Sequence, residues 1–244
     1  MAFTDAAEPT AYLTPPGKPA DFTDPLSPIN AACAVLSPGS WLLKIIELVL
    51  PHDPVKWLED TFAGDWAAYA RCAETWDNLG KACGAVARNL DGGNKTLSRS
   101  WDGAAADAAF HYFEVLRKDL CEISSSLTAM SREYTAVAQG VAAAAEAIAE
   151  CVSAMIDAAM TVCVVEAAAA ALSWTGWAVA MGYALGAAEA QVIAAQWERA
   201  TKLVNSAQLL MNASYAVLGR VGGELAAKLQ TFPLPRHAYD HPAV

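Results

Sequence analysis

The residues able to do chemistry are six cysteines, one histidine within a helical pattern and two close pairs of acids. Cys33, Cys72, Cys83, Cys121, Cys151 and Cys163 form no C-x-x-C pair, and none stands at zinc spacing from a histidine. They read as small apolar side chains of a core. The alternative is a clamp: Cys83 and Cys121 lie similar distances before and after Trp101, so they could face each other as a disulfide in an oxidising compartment. His111 follows Phe110 with no thiol or carboxylate set around it, and reads as a surface or half-buried histidine. Glu59-Asp60 and Glu146 with Glu150 read as solvated faces. There is no nucleophile elbow, no phosphate-cradling glycine loop and no H-E-x-x-H. The expectation is a protein without catalysis, without a metal and without a cofactor.

Composition points to helices. The 244 residues are 55% hydrophobic but only 9% aromatic, with alanine supplying much of the excess. Alanine is the strongest helix former. No stretch combines β-branched residues, period-two alternation and turn punctuation, so the fold class expected is all-α. The formal net charge of −10 repels phosphate backbones, and the 16 Lys and Arg residues are scattered rather than clustered. Nucleic acid is therefore not an expected partner, and an anionic membrane surface is electrostatically unfavourable.

The elements organise around Trp101-Asp102-Gly103. Upstream, Tyr69, Cys72, Trp76, Leu79, Cys83, Val86, Leu90 and Leu97 step mostly by three and four residues. Downstream, Ala106, Ala109, Phe113, Leu116, Leu120, Ile123, Leu127, Met130, Tyr134 and Val137 do the same. This spacing is the seam of a coiled-coil-like helix pair with left-handed packing. Glycine supplies the freedom that a reversal needs, and the indole of Trp101 can cover the open end of the hairpin core. The interface or core seam is expected at Trp66, Trp76, Leu79, Leu90, Phe113, Leu116, Leu120, Ile123 and Leu127. Trp174, Trp177 and Trp197 are expected in a core or interface too.

Around this corner the chain divides into four stretches. Residues 1–28, with Pro9, Pro15, Pro16, Pro19, Pro25 and Pro28, read as a flexible arm. They lack the n-region and h-region of a Sec signal peptide. Residues 29–64 should hold short bracing helices. One is best seen at 41–50 and is stopped by Pro51; the other runs from Pro54 to about Phe62 behind an Asp53 N-cap and ends at Gly64. Residues 65–229 should form an elongated antiparallel helical hairpin bundle, with corners near 91–103 and 173–176. Asp91-Gly92-Gly93-Asn94 is expected to stop or loosen the first rod. The second rod keeps its rhythm through Val141, Ala144, Ile148, Cys151, Met155, Ala158, Val162 and Val165, and Gly140 is a candidate bend. The returning helix offers Ile193, Trp197, Ala200, Val204, Ala207, Met211, Leu218, Val221 and Leu225. Residues 230–244 read as a flexible tail.

Trp101-x-Gly103 between two amphipathic helices, in an acidic alanine-rich chain, resembles the W-x-G family of type VII (ESX) secretion substrates. The stretch from Asp53-Pro54-Val55-Lys56-Trp57-Leu58 through Gly64-Asp65-Trp66 to Trp101-Asp102-Gly103-Ala104-Ala105-Ala106-Asp107-Ala108 is similar to the enlarged actinobacterial form, which often precedes secreted toxins and channel-like proteins. The resemblance covers about residues 53–165. It implies a helical hairpin, pairing with another helical protein (W-x-G type, toxin or a second copy), and export by an ATP-driven membrane machine. It also implies a location outside the cell without a Sec leader, or the cytoplasm before export. One departure stands out: the family's Tyr-x-x-x-Asp/Glu export signal is absent, since Tyr112, Tyr134 and Tyr215 lead to Leu116, Ala138 and Gly219. A partner supplying that signal, or a role as chaperone or adaptor for a toxin, fits the departure. A membrane-inserting or pore-forming helical protein is the alternative of a different class. It rests on the uncharged stretch Ala167–Ala188, which is long enough to span a bilayer.

Overall fold

The computed structural model describes residues 5–17, 22–36, 41–50, 53–171 and 176–233, with the side chains of 168–171 and 176–185 left out. It is all-α, with no strand among the described residues. After a 3-10 turn at Pro9–Tyr12, the helices are α1 (Leu26–Cys33), α2 (Trp41–Val49), α3 (Pro54–Phe62), α4 (Trp66–Leu97), α5 (Ala104–Ala171) and α6 (Gly176–Gln230). The chain divides into two compact units. The first holds residues 1–19, 69–135 and 214–244; the second holds 20–68 and 136–213.

In the first unit α4 and α5 run alongside one another in opposite directions. Asn94 Nδ2 donates to Phe110 O at 3.3 Å, Ser124 Oγ donates to Gly80 O at 2.7 Å, and Tyr69 and Tyr134 have ring centroids 4.6 Å apart. As α4 numbers fall, α5 numbers rise. The contact line is not the one the large apolar residues suggest. A Cβ on Gly80 would lie 3.2 Å from Ser124 O and 3.4 Å from Leu127 Cβ, and one on Gly84 would lie 3.3 Å from Ser124 Oγ. Gly80 is flanked at heptad spacing by the buried Ala73 and Ala87. Small residues thus let the two backbones approach, one position along from Trp76, Leu79, Cys83 and Val86. One residue is 100° of helix rotation, which leaves Cys72 and Val86 exposed and Trp76, Leu79, Cys83 and Leu90 half-buried.

On α5, Ala106, Ile123, Leu127, Met130 and Val137 are buried, while Phe113, Leu116 and Leu120 are half-buried. The third helix of this unit is the end of α6, antiparallel to α5. Ser214 Oγ donates to Glu133 Oε2 at 3.1 Å, Lys228 pairs with Glu122 and, at 3.7 Å, with Asp119, and Tyr112 OH donates to Pro233 O at 2.6 Å. Ser214 and Lys228 occupy the same three-and-four register as Leu218, Val221 and Leu225. An inventory of apolar residues passes over them because they are polar.

Along residues 5–17 of the expected flexible arm, the chain is tied to a second face of α4. Ala7 N donates to Asn89 Oδ1 at 3.0 Å while Asn89 Nδ2 donates back to Ala7 O at 2.7 Å. Further along, Asn78 Nδ2 reaches Thr14 Oγ1 at 3.2 Å. Asn78, Ala82, Ala85 and Asn89 form one stripe, and the last three are buried.

The second unit packs α1, α2 and α3 with residues 136–171 of α5 and 176–213 of α6. Asp53 caps α3 as expected, its Oδ1 accepting from Val55 N and Lys56 N, with Pro54 in the first turn and Gly64 at φ +151° beyond the end. A nine-residue helix is too short to hold itself. Leu58 and Phe62 are buried, and Trp57 meets Trp197 of α6 edge-on at 5.0 Å. On α5 two adjacent columns are buried: Val141, Ile148, Cys151, Met155 and Ala158, and beside them Ala138, Ala145, Ala149, Val152, Ile156 and Ala159. A face this wide packs on more than one neighbour. Helix α5 runs through Gly140 without interruption, and a Cβ there would collide with the Leu210 side chain of α6. Residues 173–175 of the expected second corner, and the tail from 234, lie outside the described residues.

Gly92 and Gly93 do not stop α4. The helix continues to Leu97, held across the pair by the Asp91–Lys95 ion pair at 2.6 Å and by Thr96 Oγ1 on Gly92 O at 2.8 Å. A Cβ at Gly92 would meet nothing within 4 Å. Gly92→Ala is therefore expected to stabilise the protein by about 1 kcal/mol through helix propensity alone. A urea midpoint that stays still or falls would contradict the uninterrupted helix.

Candidate functional site

The candidate site is the hairpin corner and the hollow beside it, all within the first unit. The end of α4 tightens through Ser100 N and Trp101 N, which both donate to Leu97 O at 3.0 Å. Gly103 then takes φ +103°, a region in which an L side chain is strained, and its carbonyl accepts from Asp107 N at 3.0 Å to open α5. Asp107 sits in the first turn of α5, where the helix dipole favours an acid. Trp101 rests edge-on against Phe110, with centroids 5.9 Å apart, and remains 40% exposed. The indole thus covers Phe110 on one side and offers apolar surface to the outside on the other. Asp102 is exposed.

A cavity of about 470 Å³ opens beside the corner, lined by Val86, Leu90, Leu97, Phe113 and Pro9 with Asn89, Asn94 and Asp5 among the polar groups. The arm supplies one wall, because the Ala7–Asn89 pair holds Asp5 and Pro9 in place. The Asn94 amide gives its N–H to Phe110 O, whereas its Oδ1 is buried with no hydrogen-bond partner. Further along α5, the hydrogen bond from the Arg117 guanidinium holds the Glu114 carboxyl below the usual carboxylate range.

The expected seam residues do not gather at one place. Trp76, Leu79, Leu90, Phe113, Leu116, Leu120, Ile123 and Leu127 belong to the first unit, and Leu90 and Phe113 line the cavity. Trp66 belongs to the second, where its Nε1 donates to Phe62 O at 2.9 Å and ties the start of α4 to α3. Cys83 and Cys121 are both free thiols, so the alternative of a clamp between them is not met. With Gly80 and Gly84 on the contact line, Cys83 is turned off it, and Cys121 sits exposed beside Arg117. His111 is exposed, and no group of three metal-ligating side chains exists among the described residues. The residues that sequence reasoning missed are Asn89, Asn94 and Pro9. Their trace in the sequence is slight: two asparagines, poor helix formers, within an otherwise helical pattern.

The thiols differ in environment. Cys72 and Cys121 are exposed, whereas burial, aided by Glu59 and Asp53, pushes the Cys33 thiol up to about 11 from its ordinary 9.0. Burial likewise pushes the Tyr69 hydroxyl up to about 12. A folded-state pKa above the unfolded one contributes stability that is whole below the unfolded value and is lost as pH rises towards the folded value. Stability is expected to fall between pH 9 and 11, and Cys33→Ala should flatten part of that fall in urea titrations. Midpoints constant from pH 8 to 11 would contradict this.

No protein-family model, curated protein or solved structure matches the chain.

Proposed function

We propose that the chain is a non-catalytic helical-hairpin protein of the W-x-G kind, handed to type VII secretion machinery as a pair with another helical protein. The observation that supports this reading best is the antiparallel α4–α5 pair reversing at Trp101–Gly103, with Gly103 at φ +103° and the Trp101 indole 40% exposed. An exposed aromatic at the tip of a rigid helix pair is a ready contact for a partner. The partner is a W-x-G hairpin, a toxin or a second copy, and it carries the acidic export signal that this chain lacks. The chain would be found in the cytoplasm before export and outside the cell after it, and an adaptor role for a toxin uses the same surface.

The test is export from a host with an active or a disabled type VII ATPase. Expected is secretion that needs both the ATPase and the co-expressed partner, falling at least tenfold in Trp101→Ala. Export independent of the ATPase, or unaffected by Trp101→Ala in a folded variant, would overturn the reading.

A second reading is favoured by one observation. Helix α5 contains an 18-residue window of mean hydropathy 1.8, of which 44% is buried, so part of it could face lipid. Most of the expected spanning stretch, Ala167–Ala188, has side chains outside the described set. Flotation with neutral liposomes at low salt tests this reading, and failure to float removes it.

A further inference from the structure

We infer that residues 5–17 are a strap bound to α4 as an intramolecular peptide ligand, and that the same segment of a second copy takes its place in an arm-exchanged dimer. The strap runs antiparallel to the helix. Ala7 lies at Asn89, Thr14 lies at Asn78, and a Cβ on Gly17 would be 3.6 Å from Glu74 Oε2. From Glu74 to Asn89 the helix advances about 22 Å. What α4 reads along that length is main chain. The Asn89 amide offers one donor and one acceptor, as a peptide group does, and takes both the N–H of Ala7 (3.0 Å) and its C=O (2.7 Å). Asn78 Nδ2 reaches Thr14 O at 3.3 Å besides Thr14 Oγ1. Between the two asparagines Ala82 and Ala85 are buried, and they are too short to hold a peptide away from the helix. Peptide sites that work through main-chain hydrogen bonds use this logic.

The strap is fastened rather than buried. Within residues 5–17 only Ala7, Pro9 and Tyr12 are half-buried, and the others are exposed. Little apolar area holds it, so it opens at far lower cost than the helices beneath. Its covalent tether keeps the chain's own arm at high local concentration. The arm of a second copy makes the same bonds on the same groups, which is the condition for exchange of an identical element between protomers. No part of this contact involves the exposed Trp101 indole or the export machinery, so it stands apart from the proposed function.

Two variants of the full chain separate the site from its ligand. Ala7→Pro removes the N–H that Asn89 accepts, which unfastens the arm and leaves α4 untouched. Asn89→Leu keeps the arm intact and destroys the site. In sedimentation velocity each variant alone is expected to behave as the native chain does, whereas their equimolar mixture should form an additional one-to-one pair with micromolar affinity. An acetylated peptide of residues 5–17 should bind the Ala7→Pro chain at one site, at least tenfold more tightly than the native chain, whose own arm competes. It should not bind chains that carry Asn89→Leu or Asn89→Ala, and all variants should keep the native circular dichroism spectrum. A mixture that associates no more than either variant alone would overturn the exchange. Peptide binding to the Ala7→Pro chain that is no tighter than to the native chain, or that survives replacement of Asn89, would overturn the site.

Discussion

Leu58→Ala is expected to lower the unfolding free energy by about 2–5 kcal/mol, the range found for truncating a fully buried leucine. Leu58 is 0% exposed, on a helix of nine residues. Intrinsic propensity cannot hold a helix of that length, and the Asp53 cap adds only about 1 kcal/mol. What keeps α3 in place is the packing of Leu58 and Phe62, one turn apart, together with the Trp57–Trp197 edge contact. Removing the leucine leaves a void among Leu58's neighbours, and the short helix has little else with which to resist. Glu59→Ala, on the exposed side of the same helix, should stay within about 0.5 kcal/mol. Urea denaturation of both variants measures this. A loss at Leu58 no larger than at Glu59 would mean that α3 is not packed as described.

The second large effect concerns the α4–α5 contact line. Gly80→Leu gains about 1 kcal/mol of helix propensity, so a solvated helix would become more stable. Here it must instead force a side chain into space bounded by a backbone carbonyl, Ser124 O, only 3.2 Å from the added Cβ. Overpacking costs about 1–3 kcal/mol and sometimes more. Loss of the Ser124 Oγ bond to Gly80 O adds about 1 kcal/mol. The net expectation is a destabilisation of about 1–3 kcal/mol, opposite in sign to Gly92→Ala on the same helix. If Gly80→Leu stabilises the protein, α4 and α5 do not approach at Gly80.

This contrast between two glycines shows what the sequence carried openly and what it hid. The apolar rhythm of α5 and α6 was legible, as was the start of α3, because capping by Asp53-Pro54 and three-and-four spacing are local signals. The α4 contact line was not, since it is drawn in glycine and alanine, while a search for a seam weighs large side chains. Rotating the expected seam by one residue moved the α4–α5 contact from Leu79 and Cys83 to Gly80 and Gly84, and with it went the geometry for a Cys83–Cys121 bridge. Asp91-Gly92-Gly93-Asn94 looks like a helix stop by propensity, but the Asp91–Lys95 pair and the packing of the rest of α4 outweigh a weak local preference. The docking of the arm, and the cavity that it completes, depend on Asn89 recognising the backbone of Ala7. Side-chain-to-backbone recognition across 82 residues leaves no pattern in the amino-acid order.

The reversal at Trp101–Gly103 is the claim from which the proposed partner surface and the cavity both follow. Spin labels at Lys81→Cys and Ser125→Cys, both exposed, in a chain whose native cysteines are replaced by serine or alanine, measure it by pulsed dipolar spectroscopy. Neighbouring helices have axes about 8–10 Å apart, so with the label arms included the account predicts a single narrow distance distribution below about 25 Å. If the two helices were instead one continuous rod, the 44 intervening steps at ~1.5 Å each would place the labels about 66 Å apart, and a distribution centred there would contradict the hairpin.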